Sequence, residues 1–240
     1  MSENGAVSEV FTRLQRVRAR IRDAALRAGR DPDSVALVAV SKTVPAAGVL
    51  AAARAGQIVF GENRVQEALE KIPRVSAAWP GPLTWRMIGH LQRNKVRQAL
   101  RLFDTVDSVD SLRLLDTLVR QAEERPRPLP ILIEFNCSGD AGKSGFPPGE
   151  WEDVVRRLRE SEALVAEGLM TVGPLEGGPE AARAAFRRLA RLREVLQDSL
   201  GSPLPVLSMG MSADLEVGVE EGATLVRVGT AVFGPRSPSE

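Results

Sequence analysis

Residues 35–43 read VALVAVSKT, a short apolar run that gives way to three polar residues. The run Val35–Val40 is rich in β-branched valine and too short for a typical helix, so it predicts a strand. Ser41, Lys42 and Thr43 then stand at the carboxyl end of that strand. If strands of this kind alternate with helices along the chain, they form a parallel sheet and all their carboxyl ends lie on one side.

The same unit recurs through the rest of the chain. Seven further apolar runs predict strands at Gln57–Phe60, Leu83–Ile88, Phe103–Val106, Pro130–Phe135, Ala163–Met170, Pro205–Leu207 and Thr224–Val228. Helical patterns lie between them at Ala46–Ala55, Asn63–Ile72, Leu91–Leu102, Ser111–Glu124, Glu150–Glu160, Pro179–Leu200 and Ala213–Glu221. Eight alternating units predict a (β/α)₈ TIM barrel, with a doubly wound parallel sheet as the alternative.

One more helix precedes the barrel. Apolar residues recur at helical spacing over Val7–Arg27, and Gly29 ends the pattern. No linker rich in Pro, Gly or Ser divides the chain, so we expect one domain over residues 1–234 that includes the N-terminal helix in residues 1–30. Residues 235–240, which read PRSPSE, are expected to form a short flexible tail.

The amino-acid composition limits which kinds of reactive site this chain can form. The 240 residues include 28 Arg but only four Lys, with one His, one Cys and no Tyr. These counts exclude a disulfide framework, a metal site rich in His or Cys, and a tyrosine acid or base supplied by this chain. Because Arg stays protonated, amine chemistry is confined to the N-terminus or to Lys42, Lys71, Lys95 and Lys143.

Charge and targeting signals point to a protein of the cytoplasm. The net charge of +1 creates no strong field toward nucleic acid or membrane, and the Arg-rich segments Arg13–Arg30 and Arg183–Arg193 have the spacing of solvated helix faces. Neither a signal peptide nor a membrane span is expected, and a lone Cys137 is compatible with a reducing compartment.

Several polar residues follow the predicted strands and should therefore meet at the carboxyl rim of the barrel, where barrel enzymes keep their sites.

Lys42 has two interpretations. A partly desolvated amine at the barrel mouth has a lowered pKa and forms a Schiff base with an aldehyde, whereas a solvated loop lysine has no chemical role. The use of Arg elsewhere on the surface makes this Lys noteworthy, and the two readings stay open.

The segments after the last two strands predict a phosphate site. They read SMGMS at residues 208–212 and RVGTAVFG at residues 227–234, and glycines with hydroxyl side chains let backbone N–H groups surround phosphate oxygens. The alternative is that Gly210 and Gly229 only make tight turns. Arg227 lies within a strand and either pairs inside the barrel or faces a ligand; beside a pyridine nitrogen it would keep that nitrogen unprotonated.

Two other features have weaker functional readings. Residues 138–144 read SGDAGKS, but a P-loop needs a glycine where Cys137 stands, and no helix begins directly after the lysine. His90 stands before a predicted helix, so it either caps that helix or contacts a ligand.

At these residues the sequence resembles the pyridoxal 5′-phosphate (PLP) homeostasis protein family, which is similar to the N-terminal barrel domain of alanine racemase (fold-type III). The matching segments are VAVSKT (38–43), FGENRVQE (60–67), WRMIGHLQRNK (85–95), SVDS (108–111), KSGF (143–146), GLMT (168–171), LSMGMSADLE (207–216) and ATLVRVGTAVFG (223–234). They are spread in order over most of the chain.

The resemblance implies a PLP site with assigned residues. Lys42 would hold PLP as a Schiff base, Arg227 would face the pyridine nitrogen, and Asn63 would lie beside the ring. The phosphate would be bound by Ser208, Gly229 and Thr230, with nearby backbone from Met209.

The resemblance also implies a carrier that acts in PLP (vitamin B6) homeostasis without evident catalysis, with PLP-dependent apo-enzymes as acceptors. We expect a monomer without nucleic-acid or membrane partners. A racemase similar to alanine racemase needs a tyrosine from a second domain, and this chain has neither. Two alternatives remain: a fold-type III racemase or decarboxylase with His90 as acid or base, and a barrel that binds another phosphorylated metabolite without a Schiff base.

Overall fold

The computed structural model describes residues 3–235, and side chains from residue 5 onward. Its centre is a closed barrel of eight parallel strands in sequence order, which confirms the predicted (β/α)₈ fold. The strands are β1 Ala36–Val40, β2 Val59–Glu62, β3 Thr84–Met87, β4 Thr105–Val109, β5 Leu129–Glu134, β6 Leu164–Met170, β7 Val206–Ser208 and β8 Leu225–Val228. The barrel closes where β1 pairs with β8, with Val38 beside Arg227.

Helices surround the barrel. They are α1 Glu3–Arg27, α2 Ala46–Arg54, α3 Val65–Ala78, α4 Val96–Ala99, α5 Leu112–Ala122, α6 Trp151–Arg159, α7 Gly178–Leu200, α8 Leu215–Glu220 and α9 Thr230–Phe233. Among the described residues, no helix is long and apolar enough to cross a membrane. The expected tail, residues 235–240, lies outside the described part of the chain except for Pro235.

The N-terminal helix completes the helical ring. The last unit of the barrel ends in α9, which has only four residues and cannot cover the outside of the neighbouring strands. Helix α1 packs against α8, α2 and α9 and buries an apolar stripe that includes Leu14, Val17 and Ile21. It therefore takes the position that a full eighth helix has in an ordinary barrel, which explains why an additional helix precedes the first strand.

Two predicted strands and one predicted helix have boundaries that differ from those in the structure. Strand β2 runs to Glu62 and β4 runs to Val109, beyond the apolar runs that predicted them, because the polar residues there find buried partners: Glu62 pairs with Lys71 of α3, and Asp107 pairs with Arg86 of β3. The predicted helix Leu91–Leu102 is reduced to a 3₁₀ turn at Arg93–Lys95 followed by the short α4.

Candidate ligand site at the carboxyl rim of the barrel

The predicted site residues lie at the same end of the barrel. Lys42 directly follows β1 and Asn63 follows β2, while Ser208 ends β7 and Gly229 follows β8, with Thr230 beginning α9. Because the strands are parallel and the barrel is closed, these positions share one rim. The structure thus places together residues that are up to 188 positions apart in the sequence.

Lys42 stands on a strained turn. Its side chain is half-buried, and the next residue, Thr43, adopts φ +63°. A β-branched residue rarely takes this left-handed conformation, and strain of this kind persists only where surrounding contacts hold it. The backbone at Lys42 is therefore fixed by its neighbours rather than by its own preference.

Arg227 is buried in the barrel and joins two strands of the rim. It is 4% exposed, and its two terminal nitrogens donate to the Ser208 hydroxyl at 2.6 Å and to the Thr171 carbonyl at 2.8 Å. Burial lowers the pKa of the guanidinium, and nearby Glu134 and Asp107 act against that shift. The structure therefore shows Arg227 paired inside the barrel with Ser208 and Thr171, and its contact with a ligand stays a prediction.

Glycines in the loops after β7 and β8 are required by the protein's own backbone, and phosphate binding by these loops stays a prediction. Gly210 has φ +95°, and a Cβ added to Gly229 would lie 3.2 Å from the Val40 carbonyl oxygen. Thr230 opens α9, and the first amides of a helix have no acceptor within the helix. The Met209 N–H, in contrast, donates to the Leu225 carbonyl, so the backbone contribution predicted for Met209 is not available in this conformation.

Asn63 carries an unused acceptor. Its Oδ1 is buried and, within the described residues, has no hydrogen-bond partner. Its main chain is approached by Gly89, where an added Cβ would lie 2.4 Å from the Asn63 carbonyl oxygen. A buried polar atom without a partner is costly, and a bound ligand with a donor group would satisfy it.

The barrel interior holds charges that the sequence did not single out as site residues. Arg86 on β3 pairs with Asp107 on β4 at 2.7 Å, and Thr105 donates to the other Asp107 oxygen. Glu134 ends β5 and is 6% exposed. Arg86 and Glu134 each interrupt an apolar run, which is the signal that could have marked them, since strand interiors of a packed barrel rarely hold an unpaired charge.

The Glu134 carboxyl has an unusual pKa. This pKa is raised from 4.5 to about 7, mainly by burial and in smaller part by the negative charge of Asp110, while Arg227 and His90 act in the opposite direction. A carboxyl group that changes charge near neutral pH lies therefore just below the rim, within the electrostatic range of Arg227.

Replacement of Glu134 with glutamine should change how stability depends on pH. Because the folded pKa is raised, protonated Glu134 favours the folded state below about pH 4.5, and this contribution is lost as the pH rises to about 7. The loss corresponds to about 3 kcal/mol. The free energy of unfolding of Glu134→Gln, relative to that of the wild type, should therefore rise by about 3 kcal/mol between pH 4.5 and pH 8. Urea unfolding of PLP-free protein measures this difference. Glu124→Gln, at an exposed position, is the control, and parallel pH profiles for all three proteins would contradict this account.

His90 is neither a helix cap nor buried. Its Nδ1 lies 2.6 Å from Asp110 Oδ2, and its side chain is 60% exposed. The residue that precedes the 3₁₀ turn is Gln92. His90 therefore presents an imidazole at the surface of the rim, oriented by a largely buried carboxylate.

The remaining candidates do not add to the site. Lys143 donates to the Gly173 carbonyl at 2.7 Å within a loop, as expected for a segment that is not a P-loop. Burial raises the pKa of the Cys137 thiol to about 11, which makes this cysteine unreactive. The described residues contain no cluster of His, Cys, Asp or Glu fit for a metal ion. A cavity of about 500 Å³ lies at the opposite end of the barrel, beside α1 and the starts of β1 and β2.

Comparison with known proteins assigns a family to this barrel and rim. Residues 12–237 match the family described as alanine racemase, N-terminal domain. A pyridoxal phosphate homeostasis protein of Pseudomonas aeruginosa is 44% identical over 96% of this chain and 97% of its own length. The chain belongs to the pyridoxal phosphate homeostasis protein family. A further family member, from Escherichia coli, is 37% identical over 98% of this chain and all of its own length.

Solved structures agree with this assignment. PipY of Synechococcus elongatus, a structure with PLP bound, is 36% identical with a TM-score of 0.82 and covers 94% of this chain and all of its own. An alanine racemase of Clostridium difficile has a TM-score of 0.72 at 16% identity, which shows the shared fold. This chain covers 58% of that racemase, whereas it matches members of the homeostasis protein family over their full length.

Proposed function

We propose that this protein binds PLP at the carboxyl rim of the barrel, with Lys42 as the Schiff-base lysine, and that it acts in intracellular PLP homeostasis. The observation that carries the proposal is the convergence of one primary amine, Lys42, with the loops after β7 and β8 on a single rim. The PLP-bound structure of PipY, a protein of the same fold and length class, supports the choice of ligand.

The residues present suit PLP. When bound, PLP supplies an aldehyde that condenses with a primary amine and releases water. Ser208, Gly229 and Thr230 offer hydroxyl and main-chain donors for a phosphate, with the Gly210 amide in the place first expected of Met209. The unsatisfied Oδ1 of Asn63 indicates that the rim is built to hold a polar ligand.

Arg227 would set the protonation state of the pyridine nitrogen. A guanidinium keeps its proton, so beside the pyridine nitrogen it donates a hydrogen bond and leaves that nitrogen unprotonated. A neutral ring is a weaker electron sink, which disfavours chemistry that passes negative charge into the ring. Arg227 is also held in place by Ser208 and Thr171, so its orientation does not depend on the ligand.

We propose that the protein holds PLP without turning over an amino-acid substrate. The relatives are named as homeostasis proteins rather than as enzymes. No Tyr exists in the sequence, and so not even a second copy of this chain could supply the tyrosine base of a racemase. PLP-dependent apo-enzymes as acceptors, a monomeric state and a cytoplasmic location remain predictions from the sequence.

One observation favours a second candidate function, a fold-type III racemase or decarboxylase. Glu134 titrates near neutral pH, and His90 is oriented by Asp110 on the same rim, so an acid or base is present. Incubation of the PLP-loaded protein with a panel of amino acids in D₂O decides between the two. Exchange at Cα that disappears in His90→Ala or Glu134→Gln would overturn the carrier proposal.

The absorption spectrum before and after borohydride reduction tests the proposal itself. Protein mixed with PLP should be yellow, with a band near ~420 nm typical of a protonated Schiff base, and reduction should fix the cofactor on Lys42. Peptide mapping that placed the adduct on Lys71, Lys95 or Lys143 would contradict the site. A colourless protein that does not react with PLP would favour the third candidate, a barrel for another phosphorylated metabolite.

A further inference from the structure

The residue before Lys42 is held by a buried ion pair from the next β/α unit. Lys71 of α3 and Glu62 of β2 lie 2.7 Å apart and are 8% and 0% exposed. Lys71 Nζ also donates to the Ser41 carbonyl at 2.6 Å, and the Ser41 hydroxyl donates to Glu62 Oε1 at 2.6 Å. Both polar groups of Ser41 that face this unit are therefore bound to one charged pair.

The residue after Lys42 is held from the same unit. The Thr43 N–H donates to Glu67 Oε2 of α3 at 2.9 Å. Thr43 has the left-handed φ of +63°, so this hydrogen bond to a carboxylate compensates for strain in the backbone. Glu67 is 28% exposed at its side chain and also lies 3.7 Å from Arg64. Lys42 is thus bracketed by residues whose backbone is tied to α3 and β2.

A buried ion pair is not explained by stability alone. Burial raises the pKa of Glu62, while Lys71 and Ser41 oppose this shift, and Glu62 Oε2 has no partner among the described residues. Hydrophobic residues of similar volume commonly replace such pairs without loss of stability. What an apolar pair could not do is bind the carbonyl and hydroxyl of Ser41 at once.

We propose that Glu67 and the Glu62–Lys71 pair are positioning residues for Lys42, which fix the turn Ser41–Thr43 so that the amine points to the ligand. This inference rests on the proposed PLP function. A rigid turn presents the amine in one direction before the ligand arrives, so less conformational entropy is lost on binding.

The same contacts explain why Lys71 does not act as a second reactive amine. Its ammonium is tied to Glu62 and to the Ser41 carbonyl and is nearly inaccessible, so it is not a competing amine for an aldehyde. Lys42 follows β1 at the rim, and Lys71 is buried against the turn that contains it.

Glu67→Ala tests the positioning role in the absence of PLP. Hydrogen exchange of the peptide that contains Thr43 should become faster by about tenfold, because its amide loses a charge-assisted hydrogen bond. Glu70→Ala is the matched control, since Glu70 is on the same helix and exposed. Glu67→Gln keeps an acceptor oxygen and should restore most of the protection.

PLP binding is measured on the same variants. We expect Glu67→Ala to bind PLP about tenfold more weakly while it still unfolds cooperatively in urea with a modestly lower midpoint, and Glu70→Ala and Glu67→Gln should stay near the wild type. The double variant Lys71→Met with Glu62→Gln removes both buried charges together and should also weaken PLP binding. Borohydride mapping of each variant reports whether the adduct remains on Lys42.

The outcomes separate the two proposals. If wild-type protein forms no reducible adduct, the proposed function fails and this inference fails with it. If the wild type forms the adduct while Glu67→Ala behaves like Glu70→Ala in exchange and in affinity, only the positioning inference is overturned. A loss of affinity that Glu67→Gln does not rescue would equally contradict a role for the Thr43 hydrogen bond.

Discussion

Lys42→Ala should abolish the borohydride-stable PLP adduct while leaving the protein folded. The reason is chemical, because reduction fixes only PLP that is bound through an amine. Of the other lysines, Lys71 is buried in its ion pair with Glu62, and Lys143 donates to the Gly173 carbonyl. The stability should change by no more than about 1 kcal/mol, since a half-buried lysine at a loop position contributes little. Mass spectrometry of the reduced protein gives the adduct, and urea unfolding gives the stability.

Two further variants make this result specific. Lys42→Arg keeps a positive charge but offers no primary amine, so it should also lack the adduct while retaining part of the electrostatic attraction for phosphate. Lys95→Ala is the matched control, because Lys95 lies in the 3₁₀ turn after β3, apart from the residues assigned to PLP. A stoichiometric adduct that persists in Lys42→Ala would refute the assignment of the amine.

Arg227→Met should destabilise the protein by about 3–5 kcal/mol at pH 8, because it removes one partner from a buried charge network. Of the two groups that lower the pKa of Glu134, Arg227 has the larger effect, and its loss leaves an ionised carboxyl inside the barrel without its main compensation. At pH 5 Glu134 is largely protonated, so the same substitution should cost less. Urea unfolding of PLP-free protein at the two pH values measures the difference.

A double variant isolates the cause of this pH dependence. Arg227→Met combined with Glu134→Gln should recover stability at pH 8 relative to Arg227→Met alone, because no carboxylate is left to ionise. Arg191→Met, at an exposed position, controls for the loss of an arginine and should stay within about 0.5 kcal/mol of wild type. An equal cost of Arg227→Met at both pH values would show that Glu134 is not the group that Arg227 compensates.

The sequence predicted the location of a site residue correctly where only its position along a strand mattered. Lys42, Asn63 and Ser208 could be placed on one rim because every strand of a parallel barrel points the same way. The local sequence could not show that the Met209 N–H donates to the Leu225 carbonyl, because this contact joins two different β/α units. It also could not show that His90 lies beside Asp110, which is twenty residues away in the next unit.

The amino-acid sequence by itself determined the alternation of strands and helices, the scarcity of lysine and the absence of tyrosine, because these follow from local periodicity and from composition. Only the tertiary structure decided that α1 fills the gap left by the short α9, that Glu134 lies near Arg227, and that a second lysine, Lys71, supports the turn of the first. Each of these depends on which side chains the closed barrel buries together. Burial changes the pKa of a carboxyl and selects the partners of a charge, and neither is a property of a residue in its own segment.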